Sequence, residues 1–304
     1  MKKRIVPTVY LPLFIILTAA ACTPESESLS VGMMPAVDIA PFYYALDEGL
    51  YEQHGLDIEL VLFTNAQNRQ TALQTGQIDG AMTDLVALVT NAAGDFPLRG
   101  TLSTEGVFPL LVRSVDDLTG TNTSIGMMEI SVTNYIAQQY IAEHYTNMEY
   151  EAVYINEIPA RMEAVAAGHL TAGIFPEPVA SVGELNGLTK LVHSDVPAES
   201  MTIIAFTPTA LNSKAEEIGR LNRVYAQAAQ ALRENPDLAR QTLQRHIPNL
   251  PAAAIERAVL PEYGDPHLPS DSFIAEIIAW TEHTTGRSLT VSPADIIDRG
   301  YLPE

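Results

Sequence analysis

The sequence predicts an α/β protein built from two similar lobes, each a mainly parallel sheet flanked by helices. Three observations carry that prediction. ARMEAVAAGHLTAGIFPEP at 160–178 repeats the pattern of NRQTALQTGQIDGAMTD at 68–84: Arg69, Ala72 and Gly76 match Arg161, Ala164 and Gly168, each 92 positions later. SVGMMP at 30–35 returns as SIGMME at 124–129, with Gly32 matching Gly126 at an offset of 94. Ordered agreement of both pairs points to one unit laid down twice. Finally, strand-like and helix-like stretches alternate through both halves, the pattern of a parallel sheet with crossover helices.

The first residues stand outside this pattern. Lys2, Lys3 and Arg4 precede an apolar run from Ile5 to Leu17 and the small residues Ala19 to Ala21. The run is short and interrupted by Pro7 and Pro12, so residues 1–21 read as a signal peptide and not as a membrane span. Cys22 follows, the single cysteine of the 304 residues, which leaves no disulfide and no cysteine metal motif. LTAAAC resembles a bacterial lipobox with Ala19 in place of the usual leucine, making Cys22 the expected lipidation site and anchor to the cell envelope. Residues 22–28 then have the composition of a flexible tether. Loss of residues 1–21 would take the formal charge from −20 to −23, which argues against nucleic acid and anionic bilayer surfaces as partners.

In the first lobe, Leu29 to Met33 reads as a strand and PFYYALDEGLYEQHG as a helix with Pro41 at its first position. DIELVLF alternates as a strand after Gly55. A helix from about Arg69 to Gln74 stops at Gly76, and IDGAM is a strand ending at Thr83 and Asp84. LVALVTNAAG is a helix, and a strand follows around Leu98 to Ser103. The second lobe repeats the series: SIGMM strand, SVTNYIAQQYIAEHY helix, YEAVYI strand, IPARMEAVAAG helix, TAGIF strand. Leu110 to Gly120 and Val196 to Phe206 are expected to carry the chain between lobes, and two crossings make a hinge. From Pro208 the pattern is helical; Ile218, Leu221, Tyr225, Ala228 and Leu232 share one face. Tyr225 and Trp280 are expected in the core. The resulting division is 29–115 with 203–304 in one lobe and 116–202 in the other.

Ligands of such sheets lie outside the carboxyl ends of the strands, here between the lobes. That rule selects Pro35, Asp38, Asn65, Thr83, Asp84 and Glu105 in the first lobe, with Tyr43 as a stacking surface. In the second lobe it selects Glu129, Thr133, Asn134, Asn156, Phe175 and Glu177. Each has a bland reading beside the functional one: Asp84 could simply cap the next helix, Asp38 and Glu129 could be solvated loop acids, and Pro176-Glu177-Pro178 could be a stiff turn. Arg69 and Arg161 are expected to lie along their helices. Acids and amides then dominate, which favours a cation or an N–H-bearing heterocycle over an anion, since an anion wants an arginine fork or several free N–H groups. Asp84→Ala and Glu177→Ala are expected to weaken binding without unfolding the protein. The seven histidines are scattered without a metal-binding spacing, so no metal site and no cofactor is expected.

PFYYALDEGLYEQHGLDIELVLF, the ALQTGQIDGAM pattern over Ala72, Leu73, Gly76, Asp79, Gly80, Ala81 and Met82, and SVDDLTGTNTSIG together resemble the solute-binding proteins of ABC importers, in their NMT1/THI5-like and SsuA-like branch. The resemblance covers about residues 30–300. It implies the two-lobed type II periplasmic-binding-protein fold, capture of a small solute between the lobes, delivery to a membrane permease, and a monomer. Ligands of that branch include thiamine pyrimidine precursors, riboflavin, sulfonates, taurine and nitrate. The acidic and aromatic candidates incline the reading toward a thiamine-pyrimidine-like or other nitrogen heterocycle. An enzyme of the same fold makes the thiamine pyrimidine, but it carries a cysteine cluster, whereas Cys22 stands alone here and only Lys190 and Lys214 follow it as lysines. A non-catalytic binder is therefore expected, with a ligand-sensing ectodomain as the alternative.

Overall fold

The computed structural model describes residues 28–119 and 123–303; residues 1–27, with the expected signal peptide, Cys22 and most of the tether, lie outside them. No described helix is long and apolar enough to cross a membrane. The chain opens with β1 (Leu29–Met33), makes a 3-10 turn at Val37–Ile39, and runs through α1 (Ala40–Asp47), α2 (Leu50–Gln53), β2 (Ile58–Leu62), α3 (Ala66–Gln74), β3 (Gly80–Asp84), α4 (Leu85–Ala93) and β4 (Arg99–Thr104). It continues through β5 (Leu110–Val112), β6 (Thr123–Met127), α5 (Val132–His144), β7 (Tyr150–Tyr154), α6 (Ile158–Ala166), β8 (Ala172–Ile174), α7 (Val179–Leu185) and β9 (Thr189–Leu191). It returns as β10 (Thr202–Phe206), followed by α8 (Pro208–Ser213), α9 (Ala215–Glu234), α10 (Pro236–His246), α11 (Ala252–Arg257), α12 (Asp271–Thr285) and α13 (Pro293–Ile296).

Two five-stranded sheets result, and their orders correspond strand for strand: β2-β1-β3-β10-β4 and β7-β6-β8-β5-β9. In each, three parallel strands meet an antiparallel fourth, β10 or β5, which is the strand that has just crossed from the other lobe. The sequence reads both segments as connections. A strand buried on both faces, such as the wholly buried TIIAF of β10, shows no alternation to mark it. The repeat persists in detail. Ser30 N donates to Asp79 Oδ2 at 2.8 Å where Ser124 N donates to Thr171 Oγ1 at 3.1 Å. Gly76 and Gly168 follow α3 and α6 at φ +69° and +77°, a left-handed conformation that costs glycine little and ends each helix at the same place.

In the first lobe, α1 packs against α9 and α10 on one side, with the Phe42 and Tyr225 rings 5.2 Å apart, and α4 packs against α12 on the other. In the second, Leu111, Val165, Phe175 and Ala180 form a core under α6 and α7. Each fully enclosed side chain of this size contributes roughly 1.5–3 kcal/mol. Tyr225 lies in the first lobe's core as expected, 2% exposed, whereas Trp280 is only partly buried.

Candidate functional site

The carboxyl ends of β1, β2 and β3 face those of β6, β7 and β8, and helices begin there. Asn65 caps α3, its Oδ1 accepting from Gln67 N at 2.8 Å and Asn68 N at 3.2 Å. Asp84 caps α4 through Ala87 N at 2.9 Å, and Ser131 caps α5 through Thr133 N at 3.2 Å. Ser, Asn and Asp can do this because a short side-chain oxygen reaches the free N–H groups of the first turn. The two lobes touch at repeat-related positions, Asn65 Nδ2 donating to Glu157 Oε1 at 3.4 Å, so the first turns of α3 and α6 flank a local pseudo-twofold axis. Val37 N donates to Glu177 O at 3.1 Å in a further contact between them.

At the first lobe's side of this seam lies Asp38, 1% exposed. Its Oδ2 accepts from Thr104 Oγ1 at 2.7 Å, while Oδ1 has no protein partner. Burial pushes its carboxyl above the ordinary carboxylate range, and the Thr104 hydroxyl opposes that shift. Glu105, one residue beyond β4, is likewise raised by burial; His267, 3.4 Å from its Oε1, works in the other direction. Burial also raises Asp84, opposed by its bond from Ala87 N and by the charge of Arg69.

Arg69 and Arg161 do not lie along their helices. Arg69, 7% exposed, sends Nη2 to Thr83 Oγ1 at the end of β3, 3.3 Å away. Arg161, fully enclosed, sends Nη1 to Ile155 O at 2.6 Å and places its guanidinium 5.1 Å from the centre of the Phe175 ring. Thr83 and Phe175 are themselves repeat-related, so each lobe aims a guanidinium at the same strand end. Nε of both arginines is buried without an acceptor, and burial lowers Arg69 and takes Arg161 down to about 10. The signal for them was present in the sequence, since they are the best-matched residues of the repeat. Their direction was not, because an arginine of a first helical turn can extend either along its helix or across to the sheet.

The remaining candidates divide. Thr133 and Asn134 are buried and organise the loop before α5: Thr133 Oγ1 accepts from Met128 N at 3.0 Å, and Asn134 Nδ2 donates to Glu129 O at 2.7 Å. Glu129 and Asn156 are exposed and Pro35 is half-buried, all in loops that follow strands. Tyr43 is elsewhere, its ring stacked on His246 of α10 at 4.6 Å in the helical layer. Glu177 is fully enclosed and held by Lys190 Nζ at 2.9 Å, Ser181 Oγ at 2.8 Å, Ser181 N at 3.1 Å and Val259 N at 3.2 Å. Two surface hollows of about 520 and 440 Å³ lie away from the seam, one between α9 and the C-terminal turn, the other at the amino ends of β6 and β8.

A family model described as the NMT1-like family matches residues 22–247. Three solved structures illustrate the likeness in fold. The ligand-binding component of an ABC-type import system from Staphylococcus aureus, with zinc bound, is 16% identical over 90% of this chain and 97% of that chain, with a TM-score of 0.75. The alkanesulfonate-binding protein SsuA from Xanthomonas axonopodis pv. citri, bound to MOPS, is 19% identical over 90% and 98%, with a TM-score of 0.70. The periplasmic nitrate-binding protein NrtA from Synechocystis PCC 6803 is 11% identical over 91% and 87%, with a TM-score of 0.71. No curated protein matches the chain.

Proposed function

The chain belongs to the NMT1-like family, and from that premise we propose that it is the solute-binding component of an ABC importer, a non-catalytic protein held outside the cytoplasmic membrane by lipid on Cys22. The observation that carries this reading is the pairing of repeat-related strand ends, with Asn65 of one lobe against Glu157 of the other. A solute taken up there would meet capped helix starts from both lobes, and its binding energy would favour the closed form.

For the solute, a nitrogen heterocycle or organic cation is supported by Asp38, a buried carboxylate with one oxygen free. A ligand N–H beside that oxygen would relieve an unsatisfied buried acceptor and draw the carboxyl back toward its ionised form. A second reading, a ligand with an anionic group, is favoured by Arg69 and Arg161, whose buried Nε groups lack acceptors. Native mass spectrometry of protein purified from its host tests the importer reading: a small mass that leaves on denaturation is expected, and a chain with no ligand in any growth condition counts against it. With the ligand in hand, Asp38→Asn separates the alternatives. A heterocycle or cation is expected to lose about 10- to 100-fold in affinity, the equivalent of a charged hydrogen bond. An anion is expected to lose nothing there and a comparable factor in Arg161→Met.

A further inference from the structure

We propose that His144, His193 and Asp195 form a binding site for one divalent transition-metal ion of the zinc, nickel or cobalt class, apart from the seam between the lobes. His144 is the last residue of α5, and His193 and Asp195 lie in the passage that follows β9. Donor atoms of the three side chains lie within 4.8 Å of one another, the one such group of three among the described residues. His144 Nε2 stands 3.1 Å from Asp195 Oδ1. The His144 and His193 rings are stacked, 4.0 Å between centres and 17° from parallel.

Donors bound at about 2.0–2.1 Å around a tetrahedral ion sit roughly 3.3 Å apart. The His144 to Asp195 pair already has that spacing. The stacked imidazoles need only turn about their side-chain bonds for their lone pairs to converge. His193 Nε2 is 3.1 Å from the Tyr145 hydroxyl, so in one tautomer Nε2–H donates to that oxygen and leaves the Nδ1 lone pair for the ion, the outer support that metal-bound imidazoles usually have. Two imidazoles with one carboxylate suit zinc, nickel or cobalt and are a poor set for magnesium or calcium, which prefer oxygen. The carbonyl end of α5 carries partial negative charge, as a cation site requires. The side chains of His144 and Asp195 are 28% and 64% exposed, so an ion can reach them from solvent and keep water in its open position. Bound there, it would fasten the return passage between the lobes to α5, the helix whose other end borders the seam.

The test uses untagged protein stripped with a chelator, then equilibrium dialysis with metal analysis and thermal unfolding in zinc, nickel, cobalt, magnesium and calcium. One zinc per chain and a higher Tm with zinc, nickel or cobalt are expected, with no response to magnesium or calcium. His144→Ala and His193→Ala are each expected to abolish uptake, and Tyr145→Phe to weaken it about 10-fold. His54→Ala and His169→Ala are expected to leave it unchanged. Asp195→Asn, at an exposed position, is expected to weaken uptake as well. Absence of zinc uptake by the parent protein overturns the proposal. So does uptake that persists in the His144→Ala/His193→Ala protein, or equal binding of calcium. Because the readout is metal content, failure here leaves the solute-binding reading untouched.

Discussion

Glu177 has both carboxylate oxygens committed to protein partners, Oε2 to Ser181 and Oε1 to Lys190 and Val259. Lys190 Nζ also donates to Arg257 O at 2.8 Å, so this pair ties the second lobe to the chain around α11. Removing Glu177 leaves Lys190 paired with Glu184 Oε2 at 3.2 Å but takes the acceptor from Ser181 N and Val259 N, a loss of about 1–3 kcal/mol. Glu177→Ala is therefore expected to lower the unfolding free energy read from a urea titration by an amount of that order, whether or not solute is present; an unchanged value would mean that the pair is not enclosed in solution. Asp38 works in the opposite direction. A carboxyl whose pKa is raised on folding binds protons more tightly in the folded state, so its contribution to stability is lost as pH rises from the ordinary carboxylate range through the raised value. Asp38→Asn is expected to raise the Tm of the unliganded protein at neutral pH, with the gain shrinking on the acid side of that window. A gain independent of pH would assign it to packing instead.

At the scale of elements, the helix caps explain much of the polar character of the strand ends. The sequence places Asp84 between two roles, capping and ligand contact, and the bond from Ala87 N establishes the first. Asp84→Ala is expected to cost about 1 kcal/mol through loss of the cap. Asp84→Asn keeps an oxygen for Ala87 N and removes the charge beside Arg69, so it separates the roles. Solute affinity that falls in both variants would show that the charge is used, whereas affinity unchanged in Asp84→Asn would leave Asp84 as a cap alone. Both helices of the repeat, α3 and α6, were legible from their patterns and from the glycines that end them. The pattern predicts the start of α3 near Arg69, three residues after the observed Ala66, because the cap, Asn65, precedes a polar first turn without hydrophobic periodicity. The short strands β5 and β10 were not legible, since each needs partners from both sides to be a strand at all.

At the scale of the molecule, the lobes are in contact along a seam, which a solute would have to part under the proposed function. Trp280, the single tryptophan of the chain, reaches from α12 across to α5, its Nε1 donating to Gln138 Oε1 at 2.8 Å. Tyr135 of α5 meets it edge-on at 5.6 Å and donates its hydroxyl to Glu276 at 2.7 Å. Trp280 thus belongs partly to the core and partly to the junction between lobes. Its fluorescence is expected to report opening: Gln138→Ala should shift the emission of the unliganded protein to the red, and solute should reverse part of that shift. Emission indifferent to both would mean that α5 and α12 remain joined throughout. Such a junction can open without unfolding either lobe because each has its own sheet.

What the sequence determined by itself is the duplicated α/β plan and the line of strand ends, because periodicity, caps and repeated spacing are local properties of the chain. Which side chains at that line are engaged by protein partners was decided by the tertiary structure. Glu177 and Lys190 are 13 positions apart, Asp38 and Thr104 66, and His144 and Asp195 51. The use of a charge depends on its neighbours in space, and two lobes folded against each other bring together neighbours that no local pattern records.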